Sequence, residues 1–242
     1  MPKDKEQFAN YFINCLFENE FDELRNSLEL IDMPLGMKIY NPHAKITHVY
    51  FPETSIISIV TLLQNGNGVE TSIIGREGFS GVETALMETA VPREAMVQLG
   101  GYGYRMRVEE FRQLFNENKL FANHVLHYLY PFITQIAQNS ACLCYHLIEK
   151  RLARWLLMFH ERAASDELKL TQEFIAMMLG VHRQNLNKSL NKMQTENLIS
   201  YHRGNIKIIN RQGLLAASCE CYEIIKTSFD GYMRRTEKAF VR

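Results

Sequence analysis

The segment from Leu170 to Ile209 most constrains the fold, because it has the pattern of two short helices followed by a β hairpin. Thr171 can cap a first helix, in which apolar residues recur at helical spacing. Gly180 can adopt the left-handed backbone that ends such a helix. A second helix opens at His182 and shows one apolar face. Its core-facing positions are Leu186, Leu190 and Met193. The pattern predicts a helix-turn-helix.

The second helix has a polar face opposite its apolar one. At about 100° per residue, four of its side chains fall within about 140° of one another. They are Arg183, Gln184, Asn187 and Lys188. Arg and Lys match the major-groove acceptors of guanine, and Gln and Asn match the acceptor and donor of adenine. This face indicates a helix that reads double-stranded DNA, although a helical hairpin with a solvated polar face has the same periodicity.

The residues after this helix favour the DNA interpretation over the solvated hairpin. The run SYHRGNIKII predicts two strands around Arg203-Gly204, as in a β wing. Residues 182–212 hold six Lys/Arg (183, 188, 192, 203, 207 and 211) and one acid, Glu196. A local excess of positive charge suits a phosphate backbone.

The chain has a net charge of zero, which hides an asymmetry between its halves. Residues 1–146 hold 11 Lys/Arg and 17 Asp/Glu, a charge of −6, and residues 147–242 hold 16 and 10, a charge of +6. This split predicts two modules with different partners, of which the second suits nucleic acid.

Several classes of protein are disfavoured by motifs that the sequence lacks. The charged start, MPKDKEQFANYF, has no apolar signal core and no run is long enough to span a membrane, so we expect a cytoplasmic protein without a membrane partner. The five cysteines are Cys15, Cys142, Cys144, Cys219 and Cys221. If both Cys-x-Cys pairs were helical, their side chains would diverge by about 200°, so we expect no metal site and no cofactor. No catalytic motif is present, and we expect no enzyme activity.

The first half of the chain has the sequence pattern of an antiparallel β protein. Helical segments near 5–17 and 20–27 precede short β runs between about 35 and 107, which are separated by turns such as QNGNG and GREG. Several short strands at this spacing predict a sandwich or barrel. With the helical second half, the fold class is α+β.

A long helix is predicted between the two halves, from about 119 to 145. Its apolar residues alternate by three and four, as in a coiled-coil seam. The predicted dimer contacts are Val125, Leu129, Phe132 and Ile136. The alternative is packing of this stripe against the chain's own β domain. Pro131 lies inside the pattern and predicts a kink or break.

Three regions follow from these elements. We predict a β sensor over 1–118, a dimerisation helix over 119–146 and a winged helix-turn-helix domain over 147–242. The last region includes an amphipathic helix near 148–163, a helix near 211–228 and a solvated basic tail, YMRRTEKAFVR.

The order of these modules resembles that of the Crp–Fnr superfamily of bacterial transcription regulators. VYFPETSIISIV and IGREGFSGVE look like the family's β-roll, and EKRLARWLLM, LTQEFIAMMLGVHRQNL and NLISYHRGNIKI look like its DNA-binding half. The resemblance implies an N-terminal antiparallel β-roll of the cyclic-nucleotide-binding type, and a homodimer that binds a palindromic promoter site. It also makes RNA polymerase a candidate partner.

The resemblance assigns roles to individual positions in the DNA-binding half. The family's base-reading side chains fall on Arg183, Gln184, Asn187 and Lys188. Thr171 and Gln172 fall where the family touches phosphates, and Arg203 lies on the wing. Gln184 stands where well-known members have Glu, so their operator sequence does not transfer to this chain.

The β-roll departs from the cyclic-nucleotide cassette of the family. The positions that correspond to ligand contacts are Gly78, Gly81, Glu83 and Arg93. Val82 stands where members carry the ribose-binding Glu, and Glu94 follows Arg93 where they carry a hydroxyl. Ile136 and Ala137 fall at adenine-contacting positions and lack hydroxyls. We therefore predict a dimeric DNA-binding regulator whose effector is unknown and is not cyclic AMP. The alternatives are a cyclic-nucleotide-responsive regulator with a shifted cassette, and a ligand-binding module that acts on a protein partner.

Overall fold

The computed structural model describes residues 8–17, 23–87, 90–163 and 165–239. It begins with two short helices, α1 (Tyr11–Phe17) and α2 (Glu23–Ser27). Both lie within the helical segments predicted from the sequence, of which residues 5–7 and 20–22 fall outside the described part of the chain.

Seven strands form the N-terminal β structure. They are β1 (Glu29–Met33), β2 (Lys38–Tyr40), β3 (His48–Pro52), β4 (Ile56–Leu62), β5 (Gly68–Ile74), β6 (Arg93–Leu99) and β7 (Gly101–Arg107). One sheet has the order β1-β7-β3 and the other β2-β6-β4-β5, and all pairings are antiparallel. The antiparallel architecture predicted from the sequence is confirmed. The strand pattern does not reveal β1, because its sequence ELIDM mixes two acids with three apolar residues.

The core of this half is aromatic and includes the helices that flank the sheets. Phe79 lies at its centre, with ring centroids 4.6 Å from Phe12 of α1 and 4.9 Å from Tyr128. Two short helices, α3 (Glu83–Leu86) and α4 (Val108–Glu117), complete the region. Because Tyr128 belongs to the long helix that follows, that helix is part of the N-terminal core.

The long helix, α5 (Lys119–Tyr145), has 27 residues and is continuous. Asn118 caps it by accepting a hydrogen bond from Phe121 N–H at 2.9 Å. The helix runs through Pro131, so of the predicted kink or break the break is wrong and the kink stays a prediction. Pro131 and its neighbour Phe132 are buried, so packing of this face on the core offsets the lost backbone hydrogen bond. In the described part of the chain, no helix is long and apolar enough to cross a membrane.

The C-terminal half contains the predicted helices and wing strands, one short strand that the sequence pattern does not predict, β8 (Glu167–Lys169), and two helices at its end. They are α6 (Ile148–Ala163), β8 (Glu167–Lys169), α7 (Gln172–Leu179), α8 (Arg183–Thr195), β9 (Ile199–His202), β10 (Asn205–Ile208), α9 (Arg211–Ala217) and α10 (Cys221–Ala239). The three strands form one sheet of order β8-β10-β9. The predicted helix-turn-helix followed by a β hairpin is therefore confirmed as a fold.

The chain beyond 211 differs from its prediction. The helix expected near 211–228 is divided, because residues 218–220 separate α9 from α10. The basic tail expected to be solvated is helical to Ala239, and Tyr232 is only 4% exposed. The reason is an apolar stripe of Ile225, Phe229 and Tyr232 at helical spacing, which packs α10 onto the core. Residues 240–242 lie outside the described residues.

The two halves are joined by buried polar contacts as well as by α5. Trp155 Nε1 of α6 donates to Glu70 Oε1 of β5 at 2.8 Å. Arg154 Nη1 donates to Asn139 Oδ1 at 2.6 Å, and Asn139 Nδ2 donates to the Thr71 carbonyl at 2.9 Å. Strand β5 therefore supports both α5 and α6, which fixes the position of the helix-turn-helix relative to the β-roll.

Candidate nucleic-acid interface

Helix α7 is bounded by the two residues that the sequence suggests. Thr171 Oγ1 accepts a hydrogen bond from Phe174 N–H at 3.2 Å and caps the helix. Gly180 ends it with φ +60° and ψ 44°, in the left-handed region. A Cβ on Gly180 would lie 3.2 Å from Val69 Cγ2 of β5. The turn of the helix-turn-helix thus rests directly on strand β5 of the N-terminal β structure.

Helix α8 presents one face to the core and the opposite face to solvent. The buried residues are Leu186, Ser189, Leu190 and Met193. The exposed residues include the four predicted base-reading side chains, Arg183, Gln184, Asn187 and Lys188. The predicted core face is confirmed. The polar face is free to contact another molecule, as a recognition helix in a major groove requires.

Gln172 connects the two helices through its side-chain amide. Its Oε1 accepts a hydrogen bond from Arg183 Nε at 3.4 Å, and its Nε2 donates to Asn187 Oδ1 at 3.3 Å. The resemblance assigns Gln172 to a phosphate contact. That assignment stays a prediction. In this structure the half-buried side chain holds two of the four base-reading candidates in a defined orientation, which reduces the entropy that they would lose on binding.

The wing is a tight hairpin with a charged tip. In the pairing of β9 with β10, His202 lies opposite Asn205, so Arg203 and Gly204 form a two-residue turn. Both have positive φ, +46° and +81°, as a type I′ turn requires. The Gly204 carbonyl accepts from Leu170 N–H at 2.7 Å, which places the wing tip beside the N-terminus of α7.

The interface is rich in positive charge that the chain itself does not neutralise. The basic side chains on α8 and the wing are Arg183, Lys188, Lys192, Arg203 and Lys207. Among the described residues, Lys207 has a carboxylate partner, Glu167 at 3.6 Å, and the other four have none. Exposed cations without internal partners are available to phosphates.

The two charged residues among the cassette positions of the β-roll contact each other. Arg93 Nη2 lies 2.5 Å from Glu83 Oε1, so the two charged candidates neutralise each other. Gly78 makes room for α5, since a Cβ there would lie 1.9 Å from Tyr128 Cε2. Gly81 has φ +99°, a backbone conformation that favours glycine whether or not a ligand is bound nearby. The structure thus gives these four residues roles in packing and internal charge pairing.

Glu94 also has an internal partner. Lys38 Nζ of β2 lies 2.5 Å from Glu94 Oε1, and the Glu94 residue is buried. Because successive side chains of a strand point to opposite faces of the sheet, Glu94 lies on the other face of β6 from Arg93.

The predicted dimer residues divide into two groups. Val125 and Phe132 are 1% and 4% exposed within a single chain, so they pack on their own core and cannot form the seam between two copies. Leu129 and Ile136 are half-buried against that core. The exposed apolar stripe lies one position further along α5. It contains Leu126, Tyr130 and Ile133, which are 48%, 69% and 54% exposed.

The expectation that the Cys-x-Cys pairs diverge is wrong for the second pair. Cys219 and Cys221 flank the turn before α10, so helical geometry does not separate them. They meet Cys142 and His146 from the C-terminal end of α5. Sequence reasoning missed His146, although its spacing of four from Cys142 places both on one helix face.

Comparisons with known proteins support this architecture. Residues 150–217 match the family model of the Crp-like helix-turn-helix domain, and this segment belongs to that domain family. A search among curated proteins finds no match.

Solved structures match over most of the chain. A transcriptional regulator of the Crp/Fnr family from Eubacterium rectale has 18% identity and a TM-score of 0.70, covering 86% of this chain and 98% of the other. FixK2 from Bradyrhizobium japonicum has 15% identity and a TM-score of 0.66, with 79% and 98% covered. A regulator of the CRP family from Thermus thermophilus has 18% identity and a TM-score of 0.65, with 78% and 96% covered. The resemblance to Crp–Fnr regulators is confirmed, by sequence in the helix-turn-helix domain and by fold in the remainder.

Proposed function

We propose that the protein is a dimeric, sequence-specific DNA-binding transcription regulator. The observation that carries the proposal is the exposed face of α8, which has four polar side chains of the base-reading type and no carboxylate from Arg183 to Gln194. The wing adds Arg203 beside the capped N-terminus of α7, where backbone N–H groups favour phosphate. Base contacts by α8 would select the sequence, and the wing and α7 would hold the backbone.

A second copy would supply the second half-site. The Leu126, Tyr130 and Ile133 stripe recurs by four and three residues, the spacing of a two-helix seam. Two copies joined through α5 would place two recognition helices on a two-fold axis and read a palindrome. An effector bound by the sensor would act through β5, which supports α5, α6 and the turn at Gly180.

The proposal is tested by selecting genomic DNA fragments on the purified protein and measuring variants on the selected site. Arg183→Ala should cost about 1–3 kcal/mol there, a loss of roughly 5- to 160-fold, and should relax preference at one base pair per half-site. Lys119→Ala removes the same charge at the start of α5 and should leave affinity unchanged. Unaltered affinity in Arg183→Ala would place base reading elsewhere, and the absence of any selected fragment would favour the module that acts on a protein partner.

Arg203 provides a contrast with Arg183 in the same assay. Arg203→Asn keeps a residue that tolerates positive φ, so the turn is retained while its charge is lost. All DNA sequences should then bind more weakly by a similar factor. The slope of log K against log salt should flatten by about 0.9, the value for one phosphate contact. Loss of affinity confined to the selected site would mean that the wing reads bases.

We propose that cyclic AMP is not the effector of this protein. Glu83 and Arg93 are paired with each other. Binding a cyclic phosphate would require breaking that pair, and each missing polar partner costs about 1–3 kcal/mol. Isothermal titration with about 100 μM cyclic AMP should show no saturable heat, since such losses remove a micromolar affinity. Saturable binding would instead support the shifted-cassette alternative.

A further inference from the structure

Four metal-ligating side chains converge at the junction of the two halves. Cys142 and His146 come from the C-terminal end of α5, and Cys219 and Cys221 flank the turn between α9 and α10. Their ligand atoms all lie within 4.8 Å of one another. These residues are 73 or more positions apart between the two segments, so the fold rather than the local sequence brings them together.

Two of the distances within this cluster match the edges of a tetrahedral zinc site. Cys142 Sγ lies 3.6 Å from Cys219 Sγ, and Cys221 Sγ lies 3.5 Å from His146 Nδ1. Zinc bonds of about 2.3 Å to sulfur and about 2.1 Å to nitrogen give tetrahedral edges of roughly 3.6–3.8 Å. A disulfide needs about 2.05 Å between its sulfurs. The arrangement therefore matches metal coordination better than a cystine.

The cluster is enclosed, as structural metal sites are. Cys142, Cys219 and Cys221 are 0%, 5% and 1% exposed, and the His146 side chain is 17% exposed. The protein supplies four ligands, which is the full set for tetrahedral zinc. The exposed Cys144 lies outside the cluster.

The groups around the ligands also suit a bound cation. His146 Nε2 lies 3.3 Å from Glu220 Oε1, so Nδ1 faces the sulfurs while Nε2 faces a carboxylate. This is the usual support for a zinc-bound imidazole. Gln138 Nε2 donates to Cys221 Sγ at 3.2 Å. Arg154 is close enough to stabilise a negative charge on Cys142, and three thiolates with one Zn²⁺ carry a net charge of −1.

We propose that Cys142, His146, Cys219 and Cys221 bind one zinc ion that fastens the start of α10 to the end of α5. Binding requires deprotonated thiols, so three protons leave the cysteines while the imidazole stays neutral, and no electron transfer is involved. The ion would cross-link the α5–α6 junction to the helix that closes the core. Any effect of the zinc ion on DNA binding rests on the function proposed above, but the binding of zinc itself does not.

The first test is the metal content of the full-length protein, purified without chelator. About one zinc per chain is expected in the wild type and in Cys144→Ser, the matched control, and much less in Cys219→Ser and Cys221→Ser. Chelation should lower the melting temperature of the first two proteins. Zinc retained in both cysteine variants would overturn the proposal, as would wild-type protein without zinc that also fails to take up added metal.

The second test uses the wild-type chain alone, so it does not depend on the folding of variants. Chelated, reduced protein titrated with Co²⁺ should develop the visible bands and sulfur-to-cobalt charge transfer of a tetrahedral thiolate site, saturating at one equivalent, and Zn²⁺ should displace them. Octahedral spectra would contradict the ligand set. An intact mass 2 Da below the reduced value in protein that binds no cobalt would identify a disulfide instead.

Discussion

Replacement of Ile133 by aspartate is expected to convert a dimer of this chain into monomers that remain folded. Ile133 is 54% exposed in the single chain and lies on the Leu126–Tyr130 stripe of α5, so the new carboxylate is harmless to the monomer. In a two-helix seam each copy would bury an unpaired charge, which costs far more than the lost apolar contact. Analytical ultracentrifugation should show the monomer, and circular dichroism should show an unchanged helical spectrum.

Phe132→Asp tests the core-facing stripe of α5, whereas Ile133→Asp tests the exposed one. Phe132 is 4% exposed and belongs to the chain's own core. Its replacement by aspartate should unfold the protein, with a loss of about 4 kcal/mol or more. Asn116→Asp adds the same charge on α4 and should change neither assembly nor stability. Affinity for a palindromic site should fall about 10²- to 10⁴-fold in Ile133→Asp, since a monomer engages one half-site. An intact dimer in Ile133→Asp would move the interface away from this stripe.

Glu70→Gln is expected to remove a pH dependence of stability that arises where the two halves meet. Burial raises the pKa of Glu70 to about 7, even though Ser58 and Trp155 donate hydrogen bonds to its carboxylate. The folded chain therefore keeps a proton that the unfolded chain releases near pH 4.5. The contribution of Glu70 is greatest below pH 4.5 and is lost as the pH rises through about 7, by about 3 kcal/mol in total.

Urea denaturation at pH 5 and pH 8 measures this effect. Glutamine retains an acceptor for Trp155 and has no proton to lose, so Glu70→Gln should be more stable than the wild type at pH 8 by up to about 3 kcal/mol, with a smaller gain at pH 5. Glu167→Gln, which removes an exposed charge paired with Lys207, should change stability by no more than about 0.5 kcal/mol at either pH. Equal stability of the wild type and Glu70→Gln at pH 8 would show that burial does not raise the pKa of this carboxyl group.

Local patterns predict the DNA-binding half well because its signals are short-range. The cap at Thr171, the left-handed Gly180 and the face of Leu186, Leu190 and Met193 are all set within a few residues. The polar face of α8 follows from the same periodicity. The hydrogen bonds of Gln172 could not be predicted from local patterns, since Arg183 and Asn187 lie on another helix and their distance from Gln172 depends on how α7 crosses α8.

The errors have a common cause, which is that neighbours distant in sequence decide them. The pattern predicts a dimer seam at Val125 and Phe132, although they face the chain's own core, because a 3.5-residue repeat cannot distinguish a stripe that faces a twin helix from one that faces the β-roll. The divergence of Cys219 and Cys221 rests on assuming a helix where a turn lies. Tyr232 is buried because it packs against α5 and α1, and no local pattern near the C-terminal end of the chain predicts these contacts.

The contact of α1 with α10 has a consequence for how the protein is made. The Tyr11 hydroxyl donates to the Met233 carbonyl, 222 residues later, and the Tyr11 and Tyr232 rings lie 5.5 Å apart. At 5–20 residues per second, roughly 10–50 s of translation separate the two partners. During that time the aromatic core around Phe12 and Tyr128 lacks its contacts with α10. The N-terminal half therefore emerges first, but its core gains these contacts only after α10 has been synthesised.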